Sequence, residues 1–207
     1  MPRGKQRNER LRDTATAKIK KAALGIFAEY GYHGATMRQI TRASGLSYGL
    51  VYHYFPSKQK IFCHLVDYAL GASLSGMQAY RDSPGTAWER IKNYSGMVVR
   101  SAFSGESALY FLIMHQAMTQ GKGIPGFAGR FSKRIEAYYD MFVPLIAQAQ
   151  KTGEAAQGDP FVLAAAYFSF VQGLATLAFQ RKGLEKKITP EILYNVLKNN
   201  GPMHGRG

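Results

Sequence analysis

The stretch SYGLVYHYFPSK, residues 47–58, has a composition suited to reading nucleic acid rather than to breaking bonds. Ser47, Tyr52, His53, Tyr54 and Lys58 can donate hydrogen bonds to phosphates or base edges, and no carboxylate is present to repel phosphate. Gly49 interrupts a helical turn at a cost of about 1 kcal/mol relative to alanine. That cost makes sense where a backbone must approach a partner closely. A helix laid in the major groove needs both features, a small residue at the contact and donors around it.

Enzymatic chemistry finds no comparable footing. His33, His53, His64, His115 and His204 show no metal-ligand spacing, and the lone Cys63 predicts neither a zinc site nor an intramolecular disulfide. In KIFCHLV that cysteine reads as a small buried hydrophobe of a reduced cytoplasmic protein. The glycine-rich QGKGIPGFAG, residues 120–129, lacks the GK[ST] with which a phosphate loop holds its nucleotide, and reads as an interhelical connection. Paired carboxylates and a serine-nucleophile context are missing too, so no enzyme, cofactor or metal is expected.

Charge points the same way. The formal net charge is +14, and residues 1–60 contribute 12 Lys/Arg against 3 Asp/Glu. A basic excess gathered in the first quarter of a chain predicts a polyanionic partner. The opening MPRGKQRNERLRD has no apolar segment behind it and is not a secretory signal. Residues 161–179, FVLAAAYFSFVQGLATLAF, carry no charge over nineteen positions, close to the ~20 that span a bilayer. Ser169, Gln172 and Thr176 stand against spanning, and a helix enclosed on all sides by protein gives the same pattern. No membrane association is expected.

The elements that must position these residues are helical throughout. After a flexible basic arm (1–15), Ile19, Ala22, Ala23, Ile26, Phe27 and Tyr30 recur at three- and four-residue spacing, with Gly31 as a stop. Thr36 caps a short helix, Gly45 ends it, Ser47 caps the next, and Pro56-Ser57 close that one. Two short helices joined by SGLS make a helix-turn-helix. Five longer helices follow, over about 57–76, 86–103, 106–119, 126–151 and 160–182, and a last one lies near 190–199. The expectation is an all-α chain of about nine helices, with a helix-turn-helix domain over 16–56 and a larger helical domain over 57–207.

ATMRQITRASGLSYGLVYHYFPSKQKIF, residues 35–62, resembles the DNA-binding region of the TetR family of bacterial transcriptional regulators. Thr36, Ile40, Ala43, Gly45, Leu46, Ser47, Gly49, Val51, Tyr52, Phe55 and Lys58 carry the match. Thr41, Ser44, Leu46 and Tyr54 are mild departures from it. The resemblance implies base contacts from Arg38, Tyr48, His53 and Tyr54, and phosphate contacts from Thr36, Tyr52 and Lys58. Tyr54 keeps a second reading, a ring packed under the first helix. Leu50, Val51 and Phe55 read as core. The implied function is a sequence-specific regulator, a repressor in the usual case, acting as a homodimer on a palindromic operator in double-stranded DNA. The competing function is a membrane-associated or structural DNA-binding protein without a ligand switch.

Residues 61–207 hold 19 of the 26 aromatic residues. Such stripes make plain core, yet tyrosines and methionines also suit an apolar pocket with a few polar groups. The resemblance implies a pocket for a small effector. Tyr110, Met114, His115, Met118, Tyr138, Phe142 and Gln172 are its candidate residues. Ala165, Ser169 and Gly173 recur at four-residue spacing and leave room for close helix approach; the resemblance implies that this helix and the last one pair with their copies in a second subunit.

Overall fold

The computed structural model describes residues 3–124, 128–180 and 183–199. Nine α-helices run through the described residues: α1 (Arg3–Gly34), α2 (Met37–Ser44), α3 (Tyr48–Tyr54), α4 (Lys58–Arg81), α5 (Ala87–Ala102), α6 (Gly105–Gln120), α7 (Ala128–Lys151), α8 (Pro160–Gln180) and α9 (Glu191–Tyr194). No β-strand forms among the described residues, and one isolated bridge joins Ala155 to Lys198. The all-α expectation holds.

The boundaries follow local chemistry. Thr36 and Gln39 form a reciprocal capping box at the start of α2, with the Gln39 amide donating to Thr36 Oγ1 at 3.2 Å and the Thr36 amide donating to Gln39 Oε1 at 2.8 Å. Gly45 ends α2 in the left-handed region at φ 67°, where a β-carbon is strained. Ser47 and Ser57 accept the Leu50 and Lys60 amides at 3.3 Å, capping α3 and α4.

Two expectations change here. Residues 3–15 are not a flexible arm but the first turns of α1, which continues to Gly34. Arg, Lys, Glu, Gln, Leu and Ala are good helix formers, and no proline stands after Pro2 to stop them. Leu50 is not core, since it is exposed on the outer side of α3 while Val51 and Phe55 are buried.

α1, α2 and α3 close over Ile19, Leu24, Phe27, Ile40 and Val51, and this cluster runs without a break through Phe62 and Leu65 of α4 into the larger helical part. α4 packs on α1, α5, α6 and α7, so it belongs to both halves. α8 packs on α5, α6, α7 and α9. Tyr167 and Ala164 are fully enclosed, whereas Phe161, Val162, Phe170 and Leu177 stand exposed. By length and composition α8 could cross a membrane. It is not covered on every face as expected, because no helix among the described residues lies over its outer side.

Candidate nucleic-acid interface and effector cavity

α3 presents Tyr48, Gly49 and His53 to solvent, and Ser47 is exposed ahead of them. Tyr48 is 58% exposed, a large apolar investment on a surface. Its hydroxyl donates to the Tyr52 hydroxyl at 2.9 Å, with ring centroids 4.4 Å apart. The Tyr52 phenol is held above its ordinary pKa chiefly by that hydrogen bond, so it stays a neutral donor. A β-carbon at Gly49 would meet nothing within 4 Å. Nothing among the described residues requires glycine there.

On α2, Arg38 is exposed beside the same surface, and Thr36 is exposed while its hydroxyl bonds Gln39. Tyr54 is half-buried and packs against the core, with its ring 5.1 Å from His53. Its packing reading is therefore the one with contacts behind it.

Lys58 is the clear correction. Expected to reach a phosphate, its ammonium instead donates to the carbonyls of Tyr32 at 2.9 Å, His33 at 3.1 Å and Ala35 at 2.8 Å. It also lies 5.0 Å from the Tyr32 ring centroid. An ammonium has three protons, and all three are engaged. α1 ends at Gly34, so the last carbonyls before and just past that end have no helical partners. A cation at a helix C-terminus satisfies both the lone pairs and the dipole.

A cavity of about 420 Å³ opens between α4, α5, α6, α7 and α8. That volume lies within the range of small-molecule sites. Of the expected effector residues, Tyr110, Met114, Met118, Tyr138 and Gln172 line it. Phe142 does not; it is fully buried against Tyr167, ring centroids 4.5 Å apart. His115 also points elsewhere, its Nδ1 enclosed without a hydrogen-bond partner. Sequence reading missed Tyr68, Ser73, Tyr94, Glu106 and Phe168. The signal for part of this wall was the small-residue spacing Ala69, Ala72, Ser73, Gly76 on α4, which leaves space beside a helix.

Half of the cavity's polar side chains are phenols. Burial pushes Tyr138 up to about 12, and burial followed by the nearby Glu106 charge does the same for Tyr110. Tyr94 is raised well above its ordinary value, first by burial. All three are neutral donors at ambient pH. The Tyr138 hydroxyl is enclosed without a hydrogen-bond partner; Ser73 lies close enough to offset part of that rise but not in bonding geometry.

Three ties join this cavity to the DNA-facing part. α4 carries Lys58 at one end and Tyr68, Ala69, Ala72, Ser73 and Gly76 at the cavity. α6 carries Tyr110, Met114 and Met118, and its Gln116 donates to the Phe27 carbonyl of α1 at 3.0 Å. Beyond α6, His33 of α1 lies against Gly123.

Residues 19–65 match the family model of bacterial regulatory proteins, tetR family. The chain is 26% identical to the HTH-type transcriptional regulator RutR of Escherichia coli K12 over 185 residues, 88% of this chain and 84% of that one. It is 45% identical to the HTH-type transcriptional repressor AcnR of Corynebacterium efficiens over 47 residues, 23% of this chain and 25% of the other. Its fold superposes on AibR in complex with isovaleryl coenzyme A and operator DNA with a TM-score of 0.71, at 16% identity, covering 87% of this chain and 94% of AibR. These relatives are regulators, not enzymes.

Proposed function

The chain belongs to the TetR family of bacterial regulatory proteins, and from that premise we propose that it is a cytoplasmic, dimeric repressor released from its operator by a small, largely apolar effector. The observation that carries this reading is α4, a single rigid element that clamps the end of α1 through Lys58 and walls the cavity with Tyr68, Ala72 and Ser73.

DNA meets the protein through α2 and α3. Arg38, Tyr48 and His53 address base edges; Ser47, Tyr52 and the basic face of α1 address phosphates; Gly49 lets the backbone come close. Two copies join through α8, where Phe161, Val162, Phe170 and Leu177 offer apolar surface and Ser169, Gly173 and the partly buried Ala165 allow close approach. Ile192 of α9 is exposed as well. A two-fold dimer places its recognition helices on successive major grooves, roughly 34–36 Å apart or at a multiple of it, and so selects a palindrome.

Effector in the cavity tilts α4 and alters that separation. Moving the population from 99:1 to 1:99 needs about 5.5 kcal/mol of differential binding. Some ~200 Å² of apolar ligand surface buried in one state alone supplies roughly 5 kcal/mol, so an effector of modest size suffices. AibR, crystallised with isovaleryl coenzyme A and operator DNA, gives a precedent for one such fold holding both.

Footprinting the purified protein on DNA flanking its own gene tests the reading. A symmetric protected site is expected; protection without sequence preference would sink it.

A further inference from the structure

We infer that the cavity is built for a lipophilic cation: an apolar body, an oxygen acceptor for Tyr138 at the enclosed end, and an ammonium beside Glu106 at the mouth. The inference rests on the effector-controlled reading above and names the class of effector.

The enclosed end lacks an acceptor. Tyr138 is 6% exposed and its hydroxyl has no hydrogen-bond partner. A carbonyl, ether or hydroxyl oxygen on a ligand satisfies it. A buried carboxylate does not fit well, because Arg134, the cation whose charge acts on Tyr138, is already engaged. Arg134 Nη1 donates to the Asp67 carbonyl at 2.9 Å and lies 3.9 Å from its carboxylate.

The mouth is acidic and aromatic. Glu106 is the one charged side chain among the described residues that line the cavity. The chain holds 27 Lys/Arg against 13 Asp/Glu, so an acid alone in that position runs against the composition. No cation pairs with Glu106 among the described residues. Its place in the first turn of α6 suits the helix dipole, but the dipole does not require a position on the cavity rim. Beside it, Tyr68 and Tyr110 sit with ring centroids 5.3 Å apart, and Tyr68 is 59% exposed. Phenol faces next to an unpaired carboxylate favour an ammonium by cation–π and Coulomb attraction together. An anion there meets repulsion from Glu106.

Calorimetry on the purified full chain decides it with three probes: a naphthyl ketone bearing a trimethylammonium-ethyl chain, its uncharged tert-butyl isostere, and isovaleryl coenzyme A as an anion. Wild type is expected to bind the cation about tenfold more tightly than the isostere. Glu106→Gln, an exposed and conservative change, is expected to erase that preference. Tyr138→Phe weakens both ketones about five- to tenfold alike. Equal affinity of the pair in wild type overturns the proposal, as does a preference that survives Glu106→Gln, tighter binding of the coenzyme A ester, or no binding of the cation. Gel shifts with operator separate the two readings. If the isostere or the ester releases DNA and the cation does not, effector control stands and the cation class falls.

Discussion

Gln116, buried on α6, donates through Nε2 to the Phe27 carbonyl of α1 at 3.0 Å, binding a sensor helix to the DNA-binding domain across 89 positions of sequence. Met114 and Met118, two positions to either side of Gln116, line the cavity. A shift of α6 is therefore transmitted to α1 directly, alongside the route through α4.

Gln116→Leu should keep operator binding but weaken the switch. Loss of a buried hydrogen bond costs about 1 kcal/mol of stability. The ratio of effector affinities without and with operator should fall by a factor corresponding to roughly 0.5–2 kcal/mol. That ratio is reciprocal, so effector titrations in the presence and absence of operator measure it completely. An unchanged ratio assigns all coupling to α4.

Lys58→Met should destabilise the fold without the signature of a lost phosphate contact. Three carbonyls lose a charged donor, and the melting temperature should fall by an amount equivalent to about 1.5–3 kcal/mol. The slope of log K against log salt for operator binding should stay unchanged. A phosphate contact would instead lower that slope by about one unit, and such a drop would return Lys58 to the DNA interface.

The different fortunes of these residues show what sequence can reveal. The caps Thr36, Gly45 and Ser47 were legible because each closes within four residues. The partners of Lys58 lie 23 to 26 residues upstream, at and just past the end of α1, where no local pattern links them to it. The cavity was legible in part for a similar reason. Tyr138 and Phe142 fall on one helical stripe, and only packing on Tyr167 decides that Phe142 is core while Tyr138 faces the space. Glu106 belonged to no apolar pattern and went unnoticed.

Tyr48→Ala and Arg38→Ala should relax base preference as well as reduce affinity, each by about 1–3 kcal/mol at the preferred operator. Neutralising Arg7, Arg10 and Arg12 on the first turns of α1 should reduce affinity for all sequences alike and flatten the salt dependence. Competition binding between operator and scrambled duplex distinguishes the outcomes. If Tyr48→Ala lowers both affinities equally, that residue positions the protein and does not read bases.

Phe170→Asp combined with Leu177→Asp should yield a folded monomer. Both side chains are exposed in the single chain, so its own core is untouched. Light scattering should then report the 23.0 kDa chain mass in place of twice that value, and operator affinity should collapse with loss of the second half-site. A double variant that remains dimeric would move the interface away from α8.

The bare outer side of α8 also makes the repressor sensitive to its own abundance. Chains that must pair before they can grip both half-sites are subject to mass action. Below the dimer dissociation constant, operator occupancy grows with the square of copy number rather than in proportion to it. Dilution by cell growth would then lift repression sharply, over a narrow span of expression, even with the cavity empty.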